Sequence, residues 1–241
     1  IKSEVAGKGF AIIRGLIDNV RLKAAINQVW AQFDPANDVK IDPRIPEHQA
    51  LKKKNFQRLI IGHSDHFCGG LGKFTRTFYN PLSDEDVYDL HDFFRMMIRV
   101  RNLLYEIDPE FTVNGSEKGL YSMTRVQHYP RGGGFFADHR DIYASQVPPI
   151  ASLKEYVQVM LVMTKKGEEF NRGGAYIKFD GETIDIDSVG QPGDLVIYDA
   201  ATVHGVDDID PMAPIKMNER AGRLAGFATL ARDISGNKLK K

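Results

Sequence analysis

Cysteine occurs once in 241 residues, as Cys68, which is too few for an internal disulfide framework or a four-cysteine zinc module. A reducing, cytoplasmic setting is the reading that follows. Charge of one sign is also missing. Thirty-two Lys plus Arg stand against 32 Asp plus Glu, so no global field draws the chain to nucleic acid and charge recognition has to be local. No apolar run approaches the roughly 18 residues of a bilayer span and no signal-peptide core opens the chain, so the sequence reads as soluble with no membrane partner. Internal repeats, low-complexity stretches and the HExxH helix of a zinc hydrolase are absent. What remains is a hydrophobic share of 42% over a length that fits a single domain, 1–241, with a sizeable core.

The first half of the chain, 1–119, reads as helices and loops. GFAIIRG at 9–15 predicts a short buried strand, and Asp18 is placed to cap a helix striped by Val20, Leu22, Ala25, Ile26, Val29 and Trp30. Residues 34–58, with Pro35, Pro43, Pro46 and the run Lys52 to Lys54, predict a surface connection. Between 62 and 80, His63, Asp65, His66 and Cys68 crowd among four glycines. With no regular element to fix those donors, a Gly-rich loop closing over a site is favoured over a metal cluster. Ser83, with Glu85 and Asp86 behind it, predicts the start of a long helix that runs through Leu90, Phe93, Phe94, Met97, Ile98 and Leu104 to Asp108-Pro109. His91 falls in this stretch and is expected to be structural.

From about residue 120 the pattern changes to short alternating or apolar runs divided by Gly, Pro and Asn. Eight strands are predicted, near 121–129, 134–140, 156–164, 174–179, 183–189, 195–199, 202–206 and 223–231. Helices first and eight strands afterwards predict an α+β protein: a jelly roll, that is a cupin-like double-stranded β-helix, over 120–232, with N-terminal helices buttressing one face. Gly173-Gly174 and Pro192-Gly193 read as turns with special backbone angles. Lys238 to Lys241 reads as a frayed tail.

In FFADHRD, His139 and Asp141 are two residues apart, so on a strand both side chains leave the same face and can grip one ion. His204, in TVHGV directly after the strand-like GDLVIYDA, supplies a third donor. Two imidazoles and one carboxylate form the facial triad of non-haem Fe(II) oxygenases, with coordination positions left open. Arg223 in GRLAGF offers a guanidinium suited to a two-pronged pair with a carboxylate, whereas Arg220, three residues away on an extended chain, would face the other side. Asp199 is placed to orient His204 or to cap the turn before it, and His128, next to Tyr129, is expected to point away from the site.

The order of RVQHYPRGGGFFADHRD, YVQVMLVMT, NRGGAYIKF, QPGDLVIYDAATVHGV and GRLAGFATL resembles the Fe(II)/2-oxoglutarate dioxygenases, in particular the branch that looks like prolyl 4-hydroxylases. The resemblance covers about half the chain. It implies that His139, Asp141 and His204 bind Fe(II), that Arg223 holds the distal carboxylate of 2-oxoglutarate, and that Tyr129 faces cosubstrate or substrate. Gln127 and Arg125 share the face of Tyr129 on a strand, and Arg125 and Arg140 are candidates for substrate contacts. Many relatives carry a hydroxyl residue two positions after the arginine, where this chain has Ala225, so a second donor to 2-oxoglutarate is expected from Tyr129 or Thr202. The implied reaction consumes O2 and 2-oxoglutarate, releases succinate and CO2, and hydroxylates a C–H bond. Related halogenases have a small residue in the position of Asp141, so hydroxylation is favoured over halogenation. A small polar metabolite, amino acid or sugar-like, is the expected substrate. The alternatives are a peptide or protein, taken in a groove between His63–Lys73 and Ala144–Lys154, or a non-catalytic cupin-like role in metal or ligand binding. The sequence carries no signal for the oligomeric state.

Overall fold

The structure, a computed structural model, describes residues 1–39, 57–61, 72–141 and 157–232. The metal-donor-rich loop at 63–68, the lysine run at 52–54, the segment 144–154 and the C-terminal lysines lie outside the described residues.

Two sheets, antiparallel throughout except for one short parallel pair at the edge of the larger, face each other. Helix α1 (Lys2–Lys8) leads into β1 (Phe10–Ile13), and α2 (Asn19–Gln32) follows. The Asp18 carboxylate caps α2 as expected, accepting the N–H groups of Val20 and Arg21 at 2.8 and 3.0 Å. A 3₁₀ turn at Pro35–Asn37 precedes β2 (Asp38–Val39), β3 (Gln57–Ile61) and β4 (Phe74–Tyr79), and α3 spans His91–Leu104. Then come β5 (Leu120–Pro130), β6 (Gly134–His139), β7 (Val157–Val162), β8 (Gly174–Phe179), β9 (Glu182–Asp185), α4 (Ile186–Val189), β10 (Leu195–Asp199), β11 (Val203–Ile209) and β12 (Gly222–Arg232). The larger sheet has the order β1-β10-β7-β12-β5-β4-β3-β2, and the smaller one β6-β11-β8-β9. Of the eight strands of residues 120–232, β5, β7, β10 and β12 lie in the larger sheet and β6, β8, β9 and β11 in the smaller, the four-and-four division of a jelly roll.

The period of two along each strand decides what lies on either side of the larger sheet. On β7, Val157, Val159 and Leu161 join the core shared with the helices. Met160 and Val162 point the other way, into a second core between the sheets. On β10, Leu195 and Ile197 face the helices while Val196 and Tyr198 face inward. Leu22, Ala25 and Val29 of α2 and Phe93, Phe94, Met97 and Ile98 of α3 close the outer core. The helices therefore buttress the larger sheet and leave the space between the sheets for a site.

Three expectations are corrected. The helix expected from Ser83 starts at His91, because the Asp86 carboxylate accepts the N–H groups of Leu90 and His91 at 3.0 and 2.8 Å and so fixes the N-terminus there. The N-terminal part is not only helical: FTRTFY at 74–79 lies in β4, wholly buried, with the Arg76 guanidinium bound by both Asp38 carboxylate oxygens at 2.8 and 2.7 Å. That long-range pair lets a polar-looking strand enter the sheet. The strand expected over 183–189 divides at Asp185, whose carboxylate accepts the Ser188 N–H and starts α4. Gly173, Gly174 and Gly193 take positive φ, as turns at those sites require. Among the described residues, no helix is long and apolar enough to cross a membrane.

Candidate metal centre

β6 and β11 are neighbours in the smaller sheet, and their register makes His139 and His204 Cα partners. Their ring centroids are 4.1 Å apart. Asp141 follows the end of β6, where its N–H donates to the Ala200 carbonyl at 2.8 Å and ties this end of the strand to the turn before β11. Asp199 caps that turn, its carboxylate accepting the Ala201 N–H at 2.7 Å. The closeness of β11 to β6 depends on Gly205, where a Cβ would stand 2.8 Å from the Phe136 carbonyl oxygen.

The three side chains converge. His204 Nε2 lies 3.4 Å from Asp141 Oδ2 and His139 Nε2 lies 3.8 Å from Oδ1, and the three ligand atoms are all within 4.8 Å of one another. Each Nδ1 is 2.9 Å from the carbonyl oxygen two residues back, that of Ala137 for His139 and that of Thr202 for His204. A carbonyl only accepts, so both Nδ1 atoms carry a proton, and the two Nε2 atoms are the ligand atoms that face the centre. Burial, and then the charge of the neighbouring His204, lower the His139 pKa and favour its neutral form. Burial works against the charge of Asp141, but the two imidazoles and the Gln158 amide outweigh it, and its pKa falls below the ordinary carboxylate value. A divalent cation needs neutral imidazoles and an ionised carboxylate, and the lowered pKa values of His139 and Asp141 are both shifts in that direction.

The triad opens into a cavity of about 780 Å³ between the sheets. Arg223 stands in its wall, 1% exposed. Its Nε donates to Asp187 Oδ2 at 2.6 Å and its Nη2 to the Met160 sulfur at 3.3 Å, while Nη1 is buried with no hydrogen-bond partner among the described residues. Tyr129, the register partner of Arg223, places its ring 5.4 Å from the guanidinium carbon and donates its hydroxyl to Gln127 Oε1 at 2.8 Å. Gln127, Arg125 and Arg140 also line the cavity. Thr202 is not among the lining residues; its part is the carbonyl that holds His204. Arg220 lies away from this cavity, over the Phe33 ring. His128 points to the helical side, stacked on Phe78, and burial pushes its pKa down to about 3.

Sequence reasoning missed three residues. Gln158 donates its amide to Asp141 Oδ2 at 2.7 Å, and its signal was one polar residue inside the apolar run YVQVMLVMT. Tyr198 lines the cavity with its ring centroid 4.8 Å from that of His204, and burial raises its pKa. Asp187, the partner of Arg223, carries no local signal in DIDSVG.

No protein-family model matches the chain, and no curated protein matches it in sequence. Among solved structures, the fold is similar to that of a prolyl-4-hydroxylase from Pseudomonas putida, at 13% identity and TM-score 0.55, over 94% of this chain and 95% of that one. It is also similar to a prolyl hydroxylase from Trichoplax adhaerens in complex with a hypoxia inducible factor peptide fragment, at 13% identity and TM-score 0.53, over 99% and 90% of the two chains. A third is SnoN, a non-heme alpha ketoglutarate dependent epimerase from nogalamycin biosynthesis, at 11% identity and TM-score 0.55, over 95% and 80%. The likeness is one of fold, and it is the jelly-roll fold that the sequence pattern predicts.

Proposed function

We propose that this chain is a non-haem Fe(II) oxygenase dependent on 2-oxoglutarate and O2, hydroxylating a C–H bond of a small polar metabolite, amino acid or sugar-like. The observation that carries the reading is the meeting of two features in one cavity. Two imidazole Nε2 atoms and a carboxylate face one another, and a buried guanidinium nitrogen, Arg223 Nη1, has no hydrogen-bond partner among the described residues. An orphaned buried donor costs about 1–3 kcal/mol, and a carboxylate delivered to it recovers that cost. The residues therefore fit both groups: His139, His204 and Asp141 would hold the ion, and Arg223 would hold the distal carboxylate of the keto acid.

When bound, Fe(II) and 2-oxoglutarate supply the oxygen chemistry, in which one atom of O2 enters succinate as CO2 leaves and the other enters the substrate. The chain positions and shields. Gln158 fixes the Asp141 carboxylate, the Ala137 and Thr202 carbonyls fix the two rings, and Met160, Ile177 and Val206 form an apolar wall that keeps water away from the centre. Tyr198 brings a hydroxyl to the cavity that can stand in for the one absent at Ala225, whereas the Tyr129 hydroxyl is donated to Gln127.

Anaerobic loading with Fe(II) and 2-oxoglutarate, followed by O2, should release succinate slowly without substrate and faster with the right member of a metabolite panel. A peptide substrate is the second reading, supported by the peptide held by the Trichoplax neighbour, and a peptide panel in the same assay separates the two. If metal and keto acid bind but succinate is never formed, the non-catalytic cupin-like reading replaces both.

A further inference from the structure

The cavity holds a second arginine that the cosubstrate does not account for. Arg125 on β5 faces inward beside Gln127 and Tyr129, half-buried, with its guanidinium carbon 5.3 Å from the Phe227 ring centre and its Nη1 donating to Thr229 Oγ1 at 3.1 Å. Both contacts are uncharged. Among the described residues, Arg125 has no carboxylate partner, whereas Arg223 is matched by Asp187. The two arginines occupy different depths. Phe227, the register partner of Arg125, lies four residues along β12 from Arg223, about 13 Å at roughly 3.3 Å per residue. Phe227 is also the partner of Met160 on β7, and Gln158, two residues before Met160, reaches Asp141. Arg125 with Thr229 thus stands at the level of the metal ligands, while Arg223 stands behind them.

We infer that Arg125 is the anchor for an anionic group of the substrate, so that the substrate is a small carboxylic acid bound through its carboxylate. The inference rests on the oxygenase reading above, and the balance of charge supports it. Among the described residues, Arg125, Arg140 and Arg223 contribute three positive charges at the cavity, and Asp141 and Asp187 two negative ones. A ferrous ion adds two positive charges and 2-oxoglutarate two negative, leaving one positive charge over. A monoanionic substrate neutralises it. A guanidinium held by one hydroxyl keeps its remaining N–H groups for a planar, bidentate partner, and a carboxylate has that shape. The amide nitrogen of Gln127, whose oxygen is taken by Tyr129, adds a neutral donor beside it.

The test compares the Fe(II)-loaded protein with 2-oxoglutarate across a panel of α-amino acids, hydroxy acids and dicarboxylates, each beside its primary amide. Binding of 2-oxoglutarate is measured first by calorimetry, and its failure would count against the oxygenase reading itself. With 2-oxoglutarate bound, acids are expected to raise succinate release and their amides to be at least about thirtyfold weaker, the scale of losing one partner of a buried charge pair. The KM of the best acid should rise by a similar factor in Arg125→Gln and be partly restored in Arg125→Lys. Equal response to acids and amides, no response to any acid, or turnover confined to end-blocked neutral peptides would each overturn the inference while leaving 2-oxoglutarate binding intact. The acid–amide comparison uses the unaltered protein, so it decides the matter even if the variants fold poorly.

Discussion

Replacing Arg223 separates ligand recognition from structural support. The guanidinium is buried against Asp187, and the other Asp187 contact to the backbone is the Ala175 N–H at 2.6 Å. Arg223→Leu alone strands that carboxylate in the core, which costs about 3–5 kcal/mol of folding stability. Removing both charges in Arg223→Leu/Asp187→Asn leaves no stranded ion, so the double variant should unfold at higher urea than the single one, and the difference measures the structural part. The ligand part is read by anaerobic calorimetry of 2-oxoglutarate into the Fe(II)-loaded protein. Loss of the buried partner of a carboxylate costs about 2–5 kcal/mol, about 30-fold to about 5,000-fold in Kd. Both variants should show this loss, while Fe(II) affinity measured without keto acid stays near that of the parent. A folded double variant that binds 2-oxoglutarate within about threefold of the parent would refute the assignment.

Two further outcomes test the supports of the site and the fold. Gln158→Leu removes the amide that holds Asp141 Oδ2, and Fe(II) affinity in a chelator competition should fall about 10- to 100-fold, since ligand-orienting contacts are worth that much. An unchanged affinity would show that Asp141 needs no such hold. His128, with its folded pKa pushed down to about 3, is neutral in the native state, whereas the unfolded chain binds a proton below about pH 6.5. Stability from this group is therefore full above pH 6.5 and declines as pH falls towards 3, by about 2 kcal/mol between pH 7 and pH 5. Urea unfolding of the parent and of His128→Gln at both pH values should show the parent losing that much more, and parallel losses would reject the cause.

What local pattern controls was legible in the sequence, and what depends on distant partners was not. The spacing of His139 and Asp141 put both on one side, and the place of His204 directly after the strand-like GDLVIYDA marked it as the third donor. The three-residue separation of Arg220 from Arg223 put only the latter in the cavity. The strand at 74–79 was hidden because Arg76 looks like a surface residue until Asp38 is brought to it. Helix α3 begins late because Asp86, rather than Ser83, reaches its first N–H groups. Asp187 was invisible for the same reason, since its role exists only once Arg223 folds against it. Gln158 could have been found: a lone amide at an inward position of an apolar strand has to meet a polar partner.

The central claim is that three side chains from two strand ends hold one ferrous ion. Anaerobic Fe(II) titration of the parent, His139→Ala and His204→Ala tests it most directly. The account predicts micromolar or tighter binding of one Fe(II) by the parent and no binding at micromolar metal by either variant, each retaining its fold by circular dichroism. Parental Fe(II) affinity in both variants would contradict it.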